Sequence, residues 1–310
     1  MSVSAAYLAV ILIWSTTPLG IVWSSESINP TMAVLLRMLI AVSLGAMIIK
    51  SRHIELPWHK QALQVYSYSA LGIYGGMLFS YMAARYLSSG VMSLVFGLSP
   101  VISTLLAQKI SNEPKLSKTR VFSMLISLTG LAIVCADSFT LNKNSEYGLI
   151  FILLAVFFFS LSAVLVKSVH LAINPMATTV GSLTVSVPLF FISWIVLDGS
   201  LDIDQWQVRS IWATVYLGVF GSLIGFYAYF YVLQKLTAST VTLVTLITPV
   251  IALSLGAFLN NEAISLSLMF GAFFVLFGLS LYHFGEKFLL RRKALMYEKK
   301  QETKPEIINE

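Results

Sequence analysis

The fold is decided by two runs of sequence, Leu98-Ser99-Pro100-Val101 and Ile247-Thr248-Pro249-Val250, which stand 149 positions apart. Asn112-Glu113 follows the first run and Asn261-Glu262 follows the second at the same spacing. The same offset relates three upstream pairs, namely Gly72 and Gly221, Gly76 and Gly225, and Leu87 and Leu236. Residues that recur in one order at one offset indicate that the chain contains a duplicated unit.

The beginnings of the two units also match. Ser15 and Asn29-Pro30 recur as Ser160 and Asn174-Pro175 at an offset of 145. We therefore predict a first repeat over residues 1–144, a second repeat over residues 145–285, and a charged tail over residues 286–310. Arg291, Arg292 and Lys293 in the tail would lie at the inner lipid headgroups.

Composition indicates a membrane protein. Hydrophobic residues make up 57% of the chain and charged residues 11%, whereas soluble domains carry roughly 25% charged residues. The net charge of +6 comes largely from a tail that holds seven of the twenty Lys and Arg residues, so we interpret it as membrane orientation rather than nucleic-acid binding. Cys135 is the only cysteine, which excludes an intramolecular disulfide and any multi-cysteine metal centre. We expect no metal and no cofactor.

Charged residues divide the chain into ten candidate membrane helices. The uncharged stretch from residue 2 to residue 25 is long enough to span a bilayer, which takes about 20 residues, so we interpret it as a first helix rather than a cleaved signal peptide. The ten spans are centred on residues 5–23, 31–49, 64–84, 88–108, 121–137, 148–167, 176–197, 210–233, 238–259 and 265–284.

The distribution of Lys and Arg predicts the orientation. With the N-terminus in the cytoplasm, sixteen of them fall in cytoplasmic loops and the tail, and three fall in outer loops. Such an excess is typical of the cytoplasmic side. Five helices per repeat is an odd number, so the repeats would insert in opposite senses. We predict an all-α integral membrane protein with ten helices in two inverted repeats, a build typical of transporters.

Arg37 is the only charge well inside a predicted span. A charge in mid-bilayer costs roughly 3 kcal/mol or more, so it usually faces the bundle interior or a water-filled cavity. One interpretation is a cation that binds a carboxylate or phosphate of a substrate. The other is a structural arginine bonded to backbone carbonyls, or one that snorkels to the surface.

The matched glycines and prolines predict how the helices pack and bend. Gly72 with Gly76, and Gly221 with Gly225, form the small-xxx-small pattern that lets helix backbones approach closely. Pro100 and Pro249 each free a backbone carbonyl four residues earlier, so they are candidate hinges or static kinks. Pro18 and Pro188 interrupt spans in the same way. Trp14, Tyr81 and Tyr227 are candidate apolar walls of a substrate site.

Missing residue types exclude several functions. No Asp or Glu lies in the middle of a predicted span, although proton-coupled carriers usually place a carboxylate or histidine along their path. Facilitated transport or weak coupling is therefore favoured. The chain has no HExxH motif and no intramembrane aspartate pair, so we expect no enzymatic activity and no catalytic residue.

The duplicated runs, together with Trp14-Ser15 and Arg37, resemble the drug/metabolite transporter superfamily of the EamA type. The resemblance covers roughly residues 5–284. It implies an inner-membrane carrier, in many members an exporter of amino acids or related metabolites. It also implies a central cavity lined by the first four helices of each repeat, with the fifth helices at the periphery.

We therefore expect an alternating-access transporter of small organic metabolites such as amino acids, with both termini cytoplasmic. Its partners would be a small-molecule substrate and the lipid bilayer, without nucleic acid, and no oligomeric state is predicted. A broad-specificity drug effluxer is the first alternative, against which Arg37 argues because such a cavity must tolerate cations. A lipid-handling membrane protein is a second.

Overall fold

The computed structural model describes residues 2–110, 116–141, 144–169, 171, 173–235 and 244–302, with the backbone alone described at 137–141, 245–246 and 286–302. Every regular element in these ranges is helical, so the predicted all-α class is confirmed for them. Asn112, Glu113 and Leu236 of the repeated pattern lie outside the described residues.

Most of the described helices follow the charge-free stretches of the sequence, whereas the last helix continues into the charged tail as far as Glu302. One of them, between α9 and α10, is wound as a wider π-helix. The elements are α1 (Val3–Ser24), α2 (Pro30–Ser51), α3 (Lys60–Ala83), α4 (Ser89–Phe96), α5 (Ser99–Ile110), α6 (Lys118–Leu141), α7 (Ser145–Ser168), α8 (Pro175–Leu197), a short 3-10 helix (Ile203–Gln205), α9 (Val208–Tyr216), the π-helix (Leu217–Ile224), α10 (Gly225–Lys235), α11 (Val244–Asn260) and α12 (Leu266–Glu302).

The repeated Asn-Pro pair starts a helix in each half. The side chain of Asn29 accepts a hydrogen bond from the backbone N–H of Thr31 at 3.2 Å, and that of Asn174 accepts one from Met176 at 2.9 Å. Proline suits the first position of a helix because its missing N–H would have no partner there. The Asn-Pro match therefore marks equivalent starts of α2 and α8.

Eight helical spans of the described chain are long and apolar enough to cross a membrane. The π-helix joins α9 and α10 into one such span, and α4 with α5 forms another. A further apolar helix is described over Ile247–Asn260 within α11. α3 is not among the eight, since tyrosine, serine and glycine residues interrupt its apolar residues. Ten membrane helices and inverted repeats stay a prediction.

The helices of the two halves pack mainly against each other. α1 lies against α9, α10 and α11, α2 lies against α8, and α3 lies against α7 and α8. The core is therefore the interface between the halves, where Met38, Leu94, Ile152, Leu183 and Leu217 are fully buried. α6 packs on α12 so closely that a Cβ at Gly130 would lie 2.6 Å from the carbonyl oxygen of Gly271.

Candidate functional site

A cavity of about 90 Å³ lies between the halves, and it has a mostly apolar lining. Helices α1 to α5, α7, α10 and α11 and the π-helix all contribute to it, whereas α6, α8 and α12 contribute no described residue. The fifth helix of each predicted repeat thus stays outside it. The lining residues are Trp14, Thr17, Pro18, Ile21, Arg37, Met77, Ser80, Met92, Ser93, Phe96, Ser99, Phe159, Gly221, Phe226 and Thr248.

Arg37 borders this cavity and is completely buried, with 0% of its surface exposed. Its Nε donates a hydrogen bond to the Ser222 hydroxyl at 2.7 Å. Nη1 and Nη2 are buried without a hydrogen-bond partner among the described residues. Buried charged donors are normally paired, so Nη1 and Nη2 are unused donors of a residue that borders the cavity.

The π-helix makes room for this guanidinium. Gly221 lies in the π-helix, and a Cβ there would stand 3.0 Å from Nη2 of Arg37. A Cβ at Gly218 would stand 3.1 Å from the backbone oxygen of Arg37. The wider winding and the two glycines bring this backbone against α2, and π-helical turns are often found at functional sites.

Ser222 is the site residue that sequence reasoning missed. It holds the Nε of Arg37 and lies next to the matched Gly221. Its counterpart at the repeat offset is Ile73, while the counterpart of Arg37 is Ser182. Arg37 and Ser222 both differ in residue type from their counterparts in the other repeat. This shared difference is the signal in the sequence that could have identified them as a pair.

Trp14, which the sequence makes a candidate wall residue of a substrate site, borders the cavity. Its ring packs against Tyr229 at a centroid distance of 5.0 Å and edge-on against Phe159 at 5.6 Å. Pro18, four residues further along α1, also borders the cavity. Because proline has no N–H to donate, the carbonyl of Trp14 lacks its usual helical partner.

Tyr81 and Tyr227 do not border the cavity. The Tyr81 ring lies behind Arg37, with its centroid 6.0 Å from the guanidinium carbon. Its hydroxyl accepts a hydrogen bond from Ser24 at 3.3 Å. The Tyr227 ring is tilted against the Tyr231 ring at a centroid distance of 6.4 Å, and its neighbour Phe226 borders the cavity instead.

The matched prolines differ in their local structure. Pro100 lies at the start of α5, after a break in the helix at Gly97 and Leu98. The carbonyl that Pro100 frees, at Phe96, accepts a hydrogen bond from the Ser99 hydroxyl. Pro249 lies inside the continuous helix α11.

The four matched glycines serve different contacts. A Cβ at Gly72 would stand 2.5 Å from Ser162 on α7, whereas one at Gly76 would have ordinary neighbours at 3.7 Å. The tight α3–α7 approach is therefore at Gly72 and at Gly75, where a Cβ would stand 2.5 Å from Phe158. A Cβ at Gly225 would stand 3.2 Å from the Ile13 side chain of α1.

Polar contacts join the halves at one end of the bundle, which we call the latch end (residues 23–29, 88–90, 207–210 and 260–262). The Ser27 hydroxyl accepts a hydrogen bond from the backbone N–H of Gln207 at 2.8 Å. Arg209 forms an ion pair with Glu26 at 2.5 Å, and the indole of Trp23 donates to Asn260 at 2.8 Å.

Glu262, from the repeated Asn-Glu pair, completes the latch end. Its carboxylate accepts hydrogen bonds from the backbone N–H of Ser89 at 3.1 Å, from the Ser89 hydroxyl at 3.0 Å and from the N–H of Gly90 at 3.3 Å. Carboxylates are favoured at helix N-termini, so this residue of the second half caps α4 of the first half. No group of three or more metal-ligating side chains occurs in the part of the chain that is described.

Known proteins resemble the chain over most of its length. An uncharacterized transporter of Archaeoglobus fulgidus is 25% identical over 86% of this chain and 93% of that protein. Protein PagO of Salmonella typhimurium is 25% identical over 86% of this chain and 87% of its own length. An uncharacterized inner membrane transporter of Escherichia coli, YedA, is 25% identical over 84% of this chain and 83% of its own length.

A solved crystal structure shares the fold, with a TM-score of 0.63, 20% identity, and coverage of 91% of this chain and 96% of that chain. The EamA-like transporter family matches twice, over residues 2–136 and 146–284. Apolar spans, a cavity between the halves and these matches make the chain a multi-pass membrane transporter. It belongs to the EamA-like transporter family of the drug/metabolite transporter superfamily.

Proposed function

We propose that this transporter exports small organic metabolites that carry a carboxylate, such as amino acids, by alternating access around the central cavity. The observation that carries the proposal is Arg37, which borders that cavity and whose Nη1 and Nη2 have no hydrogen-bond partner among the described residues. The direction of transport rests on the resemblance to family members that export.

The unpaired nitrogens favour a binding role for Arg37 over a structural one. A structural arginine inside a bundle would be expected to donate its terminal N–H groups to backbone carbonyls. Here Ser222 holds Nε alone. A guanidinium is a planar fork of donors that matches the two oxygens of a carboxylate, so a solute carboxylate supplies the missing acceptors.

The latch end supports alternating access. Contacts between Ser27 and Gln207, Trp23 and Asn260, and Glu262 and Ser89 join the two halves there. Their separation would open the cavity on that side, and the charge distribution predicts that this is the outer side. Pro100 and Pro249 are the proposed hinges.

The remaining predicted site residues take more limited roles in this proposal. Trp14 forms a wall of the cavity. Tyr81 supports Arg37 from behind, where its ring contributes a cation–π contact. The contact of Tyr227 with substrate stays a prediction, and it requires a conformation in which Tyr227 borders the cavity.

Counterflow in proteoliposomes tests the proposal. Vesicles are loaded with a pool of amino acids and organic acids, and uptake of each labelled solute is compared between native protein, Arg37→Gln and Arg85→Gln. Arg85 is exposed and outside the cavity, so it is the matched control. We expect native protein and Arg85→Gln to exchange a carboxylate-bearing solute and a normally folded Arg37→Gln to lose it.

Two results would contradict parts of the proposal. Equal exchange by Arg37→Gln would make Arg37 structural while leaving the transporter standing. Exchange of drug cations or scrambling of labelled lipid, with no exchange of the pool, would favour the alternative functions. Facilitated transport is tested with an imposed proton gradient, which should not stimulate exchange beyond the effect of membrane potential.

A further inference from the structure

We propose that the solute is an organic monoanion, with one carboxylate and an uncharged, largely apolar body, and that zwitterionic α-amino acids are poor substrates. This inference rests on the proposed function, because it takes the carboxylate to bind at Arg37. It narrows that function to carboxylates without an ammonium group, and so replaces the amino acids named there, by asking what else the cavity offers to a solute.

Arg37 is the one charged residue among the described residues that line the cavity. Neither aspartate nor glutamate borders it there, and no predicted span carries a carboxylate near its middle. A bound carboxylate therefore neutralises the site. A second anionic group would find no second cation, and an ammonium group would find no anion.

The neutral polar groups of the lining are few. The hydroxyls of Thr17 and Ser80 donate within their own helices, to the carbonyls of Ile13 at 2.7 Å and Gly76 at 2.6 Å. The hydroxyl of Ser99 donates to the Phe96 carbonyl, and Ser93 and Thr248 supply two further hydroxyls to the lining. They suit a hydroxyl or carbonyl group on the solute.

The lining offers no negatively charged partner to an α-ammonium group. It lies on the carbon next to the carboxylate, so a carboxylate on Arg37 brings it close to the guanidinium. Its possible acceptors are the Trp14 carbonyl that Pro18 leaves free and the hydroxyl oxygens of the lining, since a hydroxyl that donates within its helix can still accept. All are neutral, whereas charges buried in proteins need an opposite charge. Desolvation of the ammonium is therefore uncompensated.

The walls favour an apolar body. Trp14, Phe96, Phe159 and Phe226 surround the cavity together with Met77 and Met92. The Trp14 ring is in contact with Tyr229 and Phe159, which leaves less of its face for a cation. Aromatic and thioether side chains pack well on apolar and aromatic groups.

Three solutes with one skeleton test the inference on the native protein: 3-phenylpropanoate, phenylalanine and 2-phenylethylamine. Binding to purified protein is measured by calorimetry at pH 7.5, and exchange is measured by counterflow after subtraction of protein-free vesicles. We expect 3-phenylpropanoate to bind at least about tenfold more tightly than phenylalanine. We expect 2-phenylethylamine not to bind.

Two variants sharpen the test. Arg37→Gln should lose about tenfold or more in affinity for 3-phenylpropanoate, and Arg85→Gln should keep it. Ser93→Asp adds a carboxylate to the lining and should shift the preference toward phenylalanine. Size-exclusion profiles and thermal unfolding check that the variants are folded.

The outcomes separate the two proposals. Phenylalanine binding as tightly as 3-phenylpropanoate would overturn this inference and leave carboxylate transport standing. Binding of 2-phenylethylamine alone would overturn both. If none of the three binds, the inference is overturned, and the pooled counterflow experiment decides the proposed function separately.

Discussion

Ser222 fixes the direction of the guanidinium of Arg37 through the 2.7 Å hydrogen bond to Nε. Since Gly221 lies next to it in the π-helix, the hydroxyl and the space for Nη2 come from consecutive residues. Ser222 is thus a positioning residue for the proposed carboxylate site, and its effect on binding must pass through Arg37.

We expect Ser222→Ala to reduce the affinity for a carboxylate solute by about tenfold, because loss of a partner of a buried charge costs roughly 1–3 kcal/mol. Calorimetry on purified protein measures this. Ser186→Ala is the matched control, since the Ser186 hydroxyl is buried and donates to the Ser182 carbonyl of its own helix at 2.7 Å. An equal loss in both variants would remove the positioning role.

At the scale of the helices, the matched glycines have different effects on packing. α3 and α7 touch through Gly72 and Gly75, and the α2 backbone touches the π-helix at Gly218. The hydropathy of the sequence does not predict the helix break before Pro100 or the capping of α4 by Glu262. Each of these features depends on which neighbour a helix meets.

Gly72→Ala should destabilise the protein by about 1–3 kcal/mol, the usual effect of forcing a methyl group into a well-packed contact. Gly76→Ala should be nearly neutral, because its new Cβ would have neighbours at 3.7 Å rather than 2.5 Å. Thermal unfolding in detergent, monitored by tryptophan fluorescence, compares the two. If Gly76→Ala is the more harmful change, the helix contact has been assigned to the wrong glycine.

At the scale of the whole molecule, the two halves meet around the cavity and are joined by the latch end. The Glu26–Arg209 ion pair is partly exposed, with 24% and 53% of the two side chains accessible, and such pairs contribute little stability. Contacts of this kind can break and reform at little cost, as the proposed opening and closing of the cavity at the latch end requires.

A cross-link across the latch end should stop transport. Ser27→Cys and Gln207→Cys are combined with Cys135→Ser, which removes the only native cysteine, and are bridged with a bifunctional thiosulfonate. We expect counterflow to be lost and then restored by a reductant. The single-cysteine variants treated in the same way are the control, and unimpaired exchange by the bridged protein would mean that this end does not open.

The predicted orientation is tested by cysteine labelling in intact cells, again in a Cys135→Ser background. A membrane-impermeant maleimide should label Asp202→Cys and should not label Ser51→Cys until the membrane is permeabilised. This follows from the excess of Lys and Arg in the loops assigned to the cytoplasm. The reverse pattern of labelling would invert the topology.

By itself, the sequence determined the properties that depend on residues close to one another along the chain. Charge-free stretches predicted the positions of the helices, the Asn-Pro pairs coincide with the starts of α2 and α8, and the recurring motifs indicated the family. Arg37 stood out because a charge in an apolar stretch needs a partner. These signals are readable since each arises within one helix or one repeat.

Only the tertiary structure decided which of these residues meet. It brought Arg37 to Ser222, which is 185 positions away, and set Tyr81 behind the guanidinium rather than in the cavity. It also showed that α3 lies tightly against α7 at Gly75 rather than at Gly76. The physical reason is that such contacts depend on the rotation of each helix and the π-helical winding, which are set by packing between the halves.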